Sequence, residues 1–361
     1  MYKLKKPSNR VLVDHYNKYG PRIQYLMRQM ATCLVTVPFK LGTTKPVHLA
    51  LQVQQGSATW QFLTKYAQEP NLRRLLCGDW QDHLNIIREV SLLFPGLTWQ
   101  NKMLKGVYDL HGYQIYGQDS SGHEIVEDFN EILYWLFVIQ MYGGKDAVAP
   151  FNKREFVEER NLEVCPYCGR QMVDMAEEDG NVSKPYIDHF LPKRKYPFLA
   201  MSYQNMIPAC NTCNEDANKG DMDPLEHPNF GQKLLNPHEF YDHAVRFGYH
   251  YNHKGENEER NFKVIADAET ALLEEGYLKT LKLRKFYARQ TLQVKDIYRG
   301  FTTATNSMRK FLYRIGLNRS FLQDIEQRTL GYQLNDDEAQ RRQWYKFRKD
   351  VFMQLRREHG I

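Results

Sequence analysis

Cysteine is scarce in this chain, with six in 361 residues. That excludes a small disulfide-stapled scaffold and fits a reducing compartment in which thiols bind metal. Long apolar runs are missing too. The longest unbroken one covers 132–139, far short of the ~20 residues a membrane helix needs. The start, Met1-Tyr2-Lys3-Leu4-Lys5-Lys6, is followed by no apolar stretch of the secretory kind. The expectation is a cytoplasmic protein with no membrane association. There is no internal repeat and no low-complexity tract. Nor is there a large excess of charge: 49 Lys and Arg against 43 Asp and Glu leave +6. A mildly basic balance permits nucleic-acid contact without requiring it. No helix-turn-helix and no repeated finger is visible, so nothing announces a reader of base sequence.

Four of the six cysteines form two pairs, Cys165-Pro166-Tyr167-Cys168 and Cys210-Asn211-Thr212-Cys213. Each turn lets two thiolates converge, and two such turns complete a closed tetrahedral zinc site. Pro166 and Gly169 suit a tight first turn. The second pair precedes a helix, whose N-terminal dipole favours thiolate. Two redox CxxC motifs are the competing reading, but no thioredoxin-like pattern surrounds either one. Cys33 and Cys77 are read as buried thiols.

Three stretches follow from composition and periodicity. Residues 1–150 are predicted to be mostly helical. A segment over 11–25 is broken at Gly20-Pro21, and a helix over 72–94 stops at Pro95-Gly96. A short hairpin is expected within 111–125 and an apolar helix over 127–142. Residues 151–240 hold the cysteines, with an exposed polar turn or loop at 177–184 and irregular chain over 219–237. Residues 241–361 open with strands near 246–251 and 262–265, then turn helical with breaks near Gly300, Gly316 and Gly331. The last helix, 336–358, carries Trp344, Phe347, Val351 and Leu355 at helical spacing. That stripe is read as core, with a docking face as the alternative. Arg341, Arg342, Lys346, Arg348, Lys349, Arg356 and Arg357 line its other sides as a solvated basic surface, with phosphate or partner contact as the alternative.

Between the cysteine pairs lie Asp188-His189-Phe190-Leu191-Pro192 and Asn205, and Asn214 follows the last cysteine, with Lys219-Gly220 beyond it. This joint pattern resembles the HNH endonucleases, the zinc-bearing branch of the ββα-metal nucleases, over residues 157–225. Asn214 stands where the family often has histidine, which makes this an H-N-N variant. The long gap from Cys168 to Asp188 predicts an extra loop on the first hairpin. More narrowly, 188–193 with Tyr196-Pro197-Phe198-Leu199-Ala200 is similar to HNH nucleases of bacterial anti-phage systems, Septu-like and retron-associated. Leu235-Asn236-Pro237 and the Leu281-Lys282-Leu283 segment echo their tails.

The resemblance implies an α+β, mainly helical protein: a central ββα-metal module over 151–240 with a structural zinc, flanked by helical domains over 1–150 and 241–361. It makes His189 the general base, because a neutral imidazole can take a proton from water at neutral pH. Asp188 and Asn214 would hold one divalent cation, Mg²⁺ or Mn²⁺, which suits oxygen ligands. Asn205 would orient His189 and fix the loop. Lys193, Arg194, Lys195 and Lys219 are candidate phosphate contacts. His227, His238 and His243 are read as surface or structural. Double-stranded DNA is the expected substrate, with an ATPase or other defence-system partner, or a second copy of the chain, beside it. Two alternatives stay open: a non-catalytic zinc module that binds nucleic acid or protein, and an HNH nuclease of a mobile element.

Overall fold

The computed structural model describes the chain outside 33–34, 41–45, 52, 54, 95–114, 119–123, 127–131, 144–150, 174–176, 179–180, 183–185, 227–230, 253–261, 316–318, 336–338, 340 and 360–361. It is mainly helical with small sheets, antiparallel except for one parallel pairing at Ala50 and Ile125, the α+β class the sequence implied.

Helix α1, Asn9–Thr32, runs through Pro21 rather than breaking there. A proline inside a helix removes a hydrogen bond and kinks it. Buried Tyr16 and Tyr19 on one side and Ile23, Met27 and Met30 on the other hold both halves against the core. The helix expected over 72–94 is two: α3, Glu69–Cys77, and α4, Trp80–Leu93, with α2, Ala58–Tyr66, before them. Asp79 makes the break. It caps α4 by accepting from the Asp82 amide, and the Asp82 carboxylate bonds back to the Asp79 amide. This reciprocal arrangement outweighs the unbroken apolar periodicity. Strands β1, Val35–Lys40, and β2, Pro46–Leu51, were not anticipated. They join the hairpin of β3, Ile115–Gln118, and β4, Glu124–Val126, in a four-stranded sheet of order β1-β2-β4-β3. The apolar segment after it winds as a π-helix, α5, Tyr134–Gly143. Helix α6, Lys153–Arg160, follows, capped by the Asn152 side chain.

Among the described residues, the cysteine-bearing stretch contributes three short antiparallel strand pairs. In place of the turn or loop expected over 177–184, β5, Glu177–Glu178, pairs with β6, Asn181–Val182, as a short hairpin in the long gap. β7, Ile187–His189, pairs antiparallel with β8, Met206–Pro208, in the register Asp188 opposite Ile207 and His189 opposite Met206. The helix after the second cysteine pair, α7, Asn211–Asn214, is a single turn. A short pair, β9, Leu225–Glu226, and β10, Gly231–Gln232, interrupts the irregular chain beyond it.

The C-terminal stretch opens with the two expected strands, β11, Val245–Tyr251, and β12, Phe262–Ala268, paired antiparallel. Helix α8, Thr291–Ile315, continues through Gly300, where no break occurs. Helix α9, Arg319–Leu330, ends before Gly331, whose φ of +80° suits a glycine stop. Helix α10 covers Tyr345–Glu358, shorter than expected. Phe347, Val351 and Leu355 are fully buried and Trp344 is partly so, packed beside β11. The stripe is core and offers no docking face. Much of the basic face is tied inward as well. Lys346 pairs with Asp350, Lys349 with Asp242, and Arg348 donates to the Leu330 carbonyl.

Buried side chains from all three stretches join one contiguous core. Polar bonds clamp the cysteine-bearing stretch from both sides. From the N-terminal side, the Leu76 carbonyl accepts from the Tyr203 amide (2.8 Å) and the Met201 carbonyl bonds His15 Nε2 (2.9 Å). From the C-terminal side, the Tyr287 hydroxyl donates to the Cys168 carbonyl (2.6 Å) and the Trp344 amide to the Gly169 carbonyl (2.6 Å). Among the described residues no helix is long and apolar enough to cross a membrane.

Candidate metal centre and Asp–His site

The two cysteine turns meet. The sulfurs of Cys165, Cys168, Cys210 and Cys213 lie within 4.8 Å of one another and all four residues are buried. Cys168 Sγ is 3.8 Å from Cys210 Sγ. A zinc ion bonded to tetrahedral thiolates at ~2.3 Å sets its sulfurs about that far apart, so the cluster fits the ion. The first turn closes through the Gly169 amide on the Cys165 carbonyl (2.8 Å), and the Arg170 amide reaches Cys168 Sγ. Gly169 has φ +60°, and a Cβ there would lie 2.2 Å from the Met1 nitrogen. Hydrogen bonds from the neighbouring thiols hold the Cys168 thiol well below its ordinary range, while burial pushes Cys165 up. Among the described residues no other group of three or more His, Cys, Asp or Glu side chains converges in this way. Cys77 is half-buried and bonds the Leu12 carbonyl, and burial pushes its thiol up to about 11. Cys33 lies outside the described residues.

Asp188 and His189 stand on β7, in the hairpin that leads to the second cysteine pair. Asp188 is buried, and both of its oxygens accept hydrogen bonds: Oδ2 from the Tyr167 hydroxyl (2.5 Å) and Oδ1 from Lys219 Nζ (2.9 Å). Tyr167 lies between the cysteines of the first pair, so the metal centre and the carboxylate are directly coupled. Burial and the adjacent carboxylate raise the phenol well above its usual value, which keeps it a donor. Lys219 also donates to the His189 carbonyl (3.0 Å), and its side chain is wholly buried. The turn that delivers it needs Gly220, with φ +42°, because a Cβ would lie 2.7 Å from Asp216 Cα. Lys219 therefore does not present itself to a phosphate from outside. It neutralises a buried carboxylate.

His189 is buried, and Nε2 lies 3.0 Å from the Ala200 carbonyl. A carbonyl only accepts, so Nε2 carries the proton and the lone pair is on Nδ1. Burial, reinforced by Lys193, Lys219 and Lys153, holds the imidazole well below its ordinary value, against the opposing bond to Ala200. It is therefore neutral at pH 7. Asn205 makes no bond to the imidazole but locks the loop between the strands. Its Oδ1 accepts from the Leu191 amide (2.7 Å), and its Nδ2 donates to the carbonyls of Leu191 (3.1 Å) and Leu199 (3.0 Å). Arg160, partly buried, ties the end of the same loop through the carbonyls of Tyr203 (2.5 Å) and Met206 (3.3 Å). Asn214 ends the single turn α7, its side chain partly buried.

The remaining expected phosphate contacts sit on the loop after β7. Arg194 pairs with Asp221 (2.8 Å) and Lys195 with Asp223. Lys193 lies over the Tyr142 ring, 4.8 Å from its centroid. His238 is buried against Arg160, His243 is exposed beside Glu269, and His227 lies outside the described residues. Sequence reasoning missed Tyr167, Tyr142 and Lys153. Tyr167 was recoverable, since the cysteines on either side of it fix its place. Tyr142 and Lys153 carry no local signal.

Over 88 residues, 24% of this chain, the sequence is 31% identical to Septu protein PtuB of Bacillus thuringiensis. The match spans 29% of that protein's length. No protein-family model and no solved structure matches the chain.

Proposed function

We propose that this chain is the nuclease of a bacterial anti-phage system of the Septu kind, hydrolysing phosphodiester bonds of DNA. The observation that carries the reading is His189 itself: a buried, neutral imidazole fixed through Nε2, one residue from a carboxylate that is tied to the four-cysteine centre. The partial likeness to Septu protein PtuB supports the defence assignment. Strand, strand and helical turn follow in the order that the HNH resemblance implies.

In this reading His189 Nδ1 takes a proton from water, which attacks phosphorus as the P–O3′ bond breaks. The leaving 3′ oxygen takes a proton from solvent water, so the products are a 5′-phosphate and a 3′-hydroxyl. Asp188 and Asn214 would hold one Mg²⁺ or Mn²⁺. Each carboxylate oxygen accepts one hydrogen bond and keeps further lone-pair capacity, so the donor set suits a hard cation. When bound, such an ion supplies Lewis-acid neutralisation of the phosphate and the leaving oxygen. Asn205 holds the loop whose Ala200 carbonyl sets the tautomer. Zinc at the four cysteines is structural.

Plasmid cleavage with and without Mg²⁺ or Mn²⁺ tests the reading. His189→Ala is expected to lose ~10²–10⁴-fold in rate, with its melting transition retained. Equal cleavage by parent and variant would remove the mechanism. A second reading, a non-catalytic zinc module, draws on the engagement of both Asp188 oxygens by Tyr167 and Lys219. It predicts no Mn²⁺ binding and no cleavage by the parent protein.

A further inference from the structure

Beside His189 lies a cluster that the reading above does not use. The rings of Tyr142 and His189 meet edge to face, with centroids 4.5 Å apart and planes at 69°. Two ammonium groups share the Tyr142 ring. Lys193 Nζ lies 4.8 Å from its centroid and Lys153 Nζ 5.0 Å. Tyr142 is buried at the end of the π-helix α5 and Lys153 is the first residue of α6, so both belong to segments before the cysteine pairs. The ring faces attract cations. The Lys193 ammonium is destabilised by burial and then by Lys153, and is favoured by the Asp221 and Asp188 carboxylates. Two ammonium groups held on one ring beside the proposed base suit the phosphodiester anions of a nucleic-acid strand. A π-helical turn of this kind is also frequent at functional sites.

We propose that Tyr142, Lys153 and Lys193 form a phosphate clamp for the nucleic-acid strand attacked at His189. Lys193 was already a candidate contact; Tyr142 and Lys153 are new. The ring is the floor that fixes both ammonium groups relative to the base, and the ammonium groups hold the strand's phosphodiester anions. The N-terminal segment thereby supplies part of the substrate site. This inference rests on the nuclease reading.

The test uses full-length protein carrying His189→Ala, titrated with a fluorescein-labelled DNA duplex by anisotropy over a sodium chloride series. Each lost phosphate contact lowers the slope of log K against log[salt] by ~0.9. Lys153→Ala is expected to lower it by about that amount, and Lys153→Arg to restore it. Tyr142→Leu should weaken binding, and Lys153→Ala added to it should cost less than it does alone, since the floor is already gone. In the His189-containing protein, Lys153→Ala should raise KM several-fold while kcat changes little. Thermal melting checks that each variant is folded, and Lys153→Gln replaces any that is not. Parent binding with an unchanged slope in Lys153→Ala overturns the clamp and leaves the nuclease reading standing. A His189-containing parent that neither binds nor cleaves DNA overturns both.

Discussion

Lys219 is the residue whose place most changes its role. A lysine five residues past the last cysteine pair's asparagine reads as a surface charge for phosphate. Instead its side chain is wholly enclosed, with the ammonium on Asp188 Oδ1 and on the His189 carbonyl. Removing one partner of a buried ion pair leaves an uncompensated charge and costs about 3–5 kcal/mol. Lys219→Met should therefore lower unfolding free energy in urea by ~3 kcal/mol or more, and adding Asp188→Asn should recover part of the loss. A solvent-facing phosphate contact would leave stability unchanged. Asp188 works under the same constraint: the bonds from Tyr167 and Lys219 fix its orientation, which no single-residue motif conveys.

At the scale of elements, the β7–β8 hairpin is too short to stand alone, with three residues in each strand. Its stability comes from the cysteine cluster at one end and the locked loop at the other. Structural zinc contributes on the order of 10 kcal/mol or more in small modules. Cys210→Ser is accordingly expected to lose zinc by elemental analysis and to expose this segment to proteolysis. A folded, resistant variant without zinc would contradict a structural role. The loop end depends on two buried histidines from the N-terminal helices: His15 on the Met201 carbonyl and His83 on the Ser202 hydroxyl. Burial lowers both to about 4, below the unfolded value of ~6.5. A base with a depressed folded pKa contributes stability above the unfolded pKa. That stability is lost as pH falls through the window from ~6.5 to about 4, by about 3 kcal/mol for each histidine. Urea unfolding across that window should thus fall less steeply in His83→Gln than in the parent at equal zinc content. Parallel curves would show that the ring is not held neutral.

Across the whole molecule, the core runs without interruption from the N-terminal helices to α10. Phe347 packs on Phe247 and Tyr287, and Tyr287 bonds the Cys168 carbonyl, so the C-terminal helix supports the four-cysteine cluster. Truncating a buried phenylalanine typically costs about 3–5 kcal/mol. Phe347→Ala should lose about that much in a denaturant melt and leave the light-scattering mass unchanged. Lost mass with unchanged stability would restore the docking-face alternative. Two basic side chains of α10 are paired as well, Lys346 with Asp350 and Lys349 with Asp242.

Local chemistry and short spacing are properties of the chain itself, and they settled much about this protein. The two CxxC pairs announced one four-thiol centre, because a tight turn converges its own cysteines wherever it lies. The 115–126 hairpin and β11–β12 followed from alternation and turn residues, which act over a few positions. The adjacency of Asp188 and His189 put a carboxylate and an imidazole on one strand end. Only the tertiary structure decided what depends on residues far apart in the chain. The continuity of α1 through Pro21 came from packing on both sides of it. The π-helical segment, whose apolar run gave no hint of chemistry, brought Tyr142 to His189, and α6 brought Lys153 to the same ring. Lys219 and the stripe on α10 went inside rather than out. Spacing sets which residues can meet locally, whereas desolvation and long-range packing decide which charges are buried and which faces remain free.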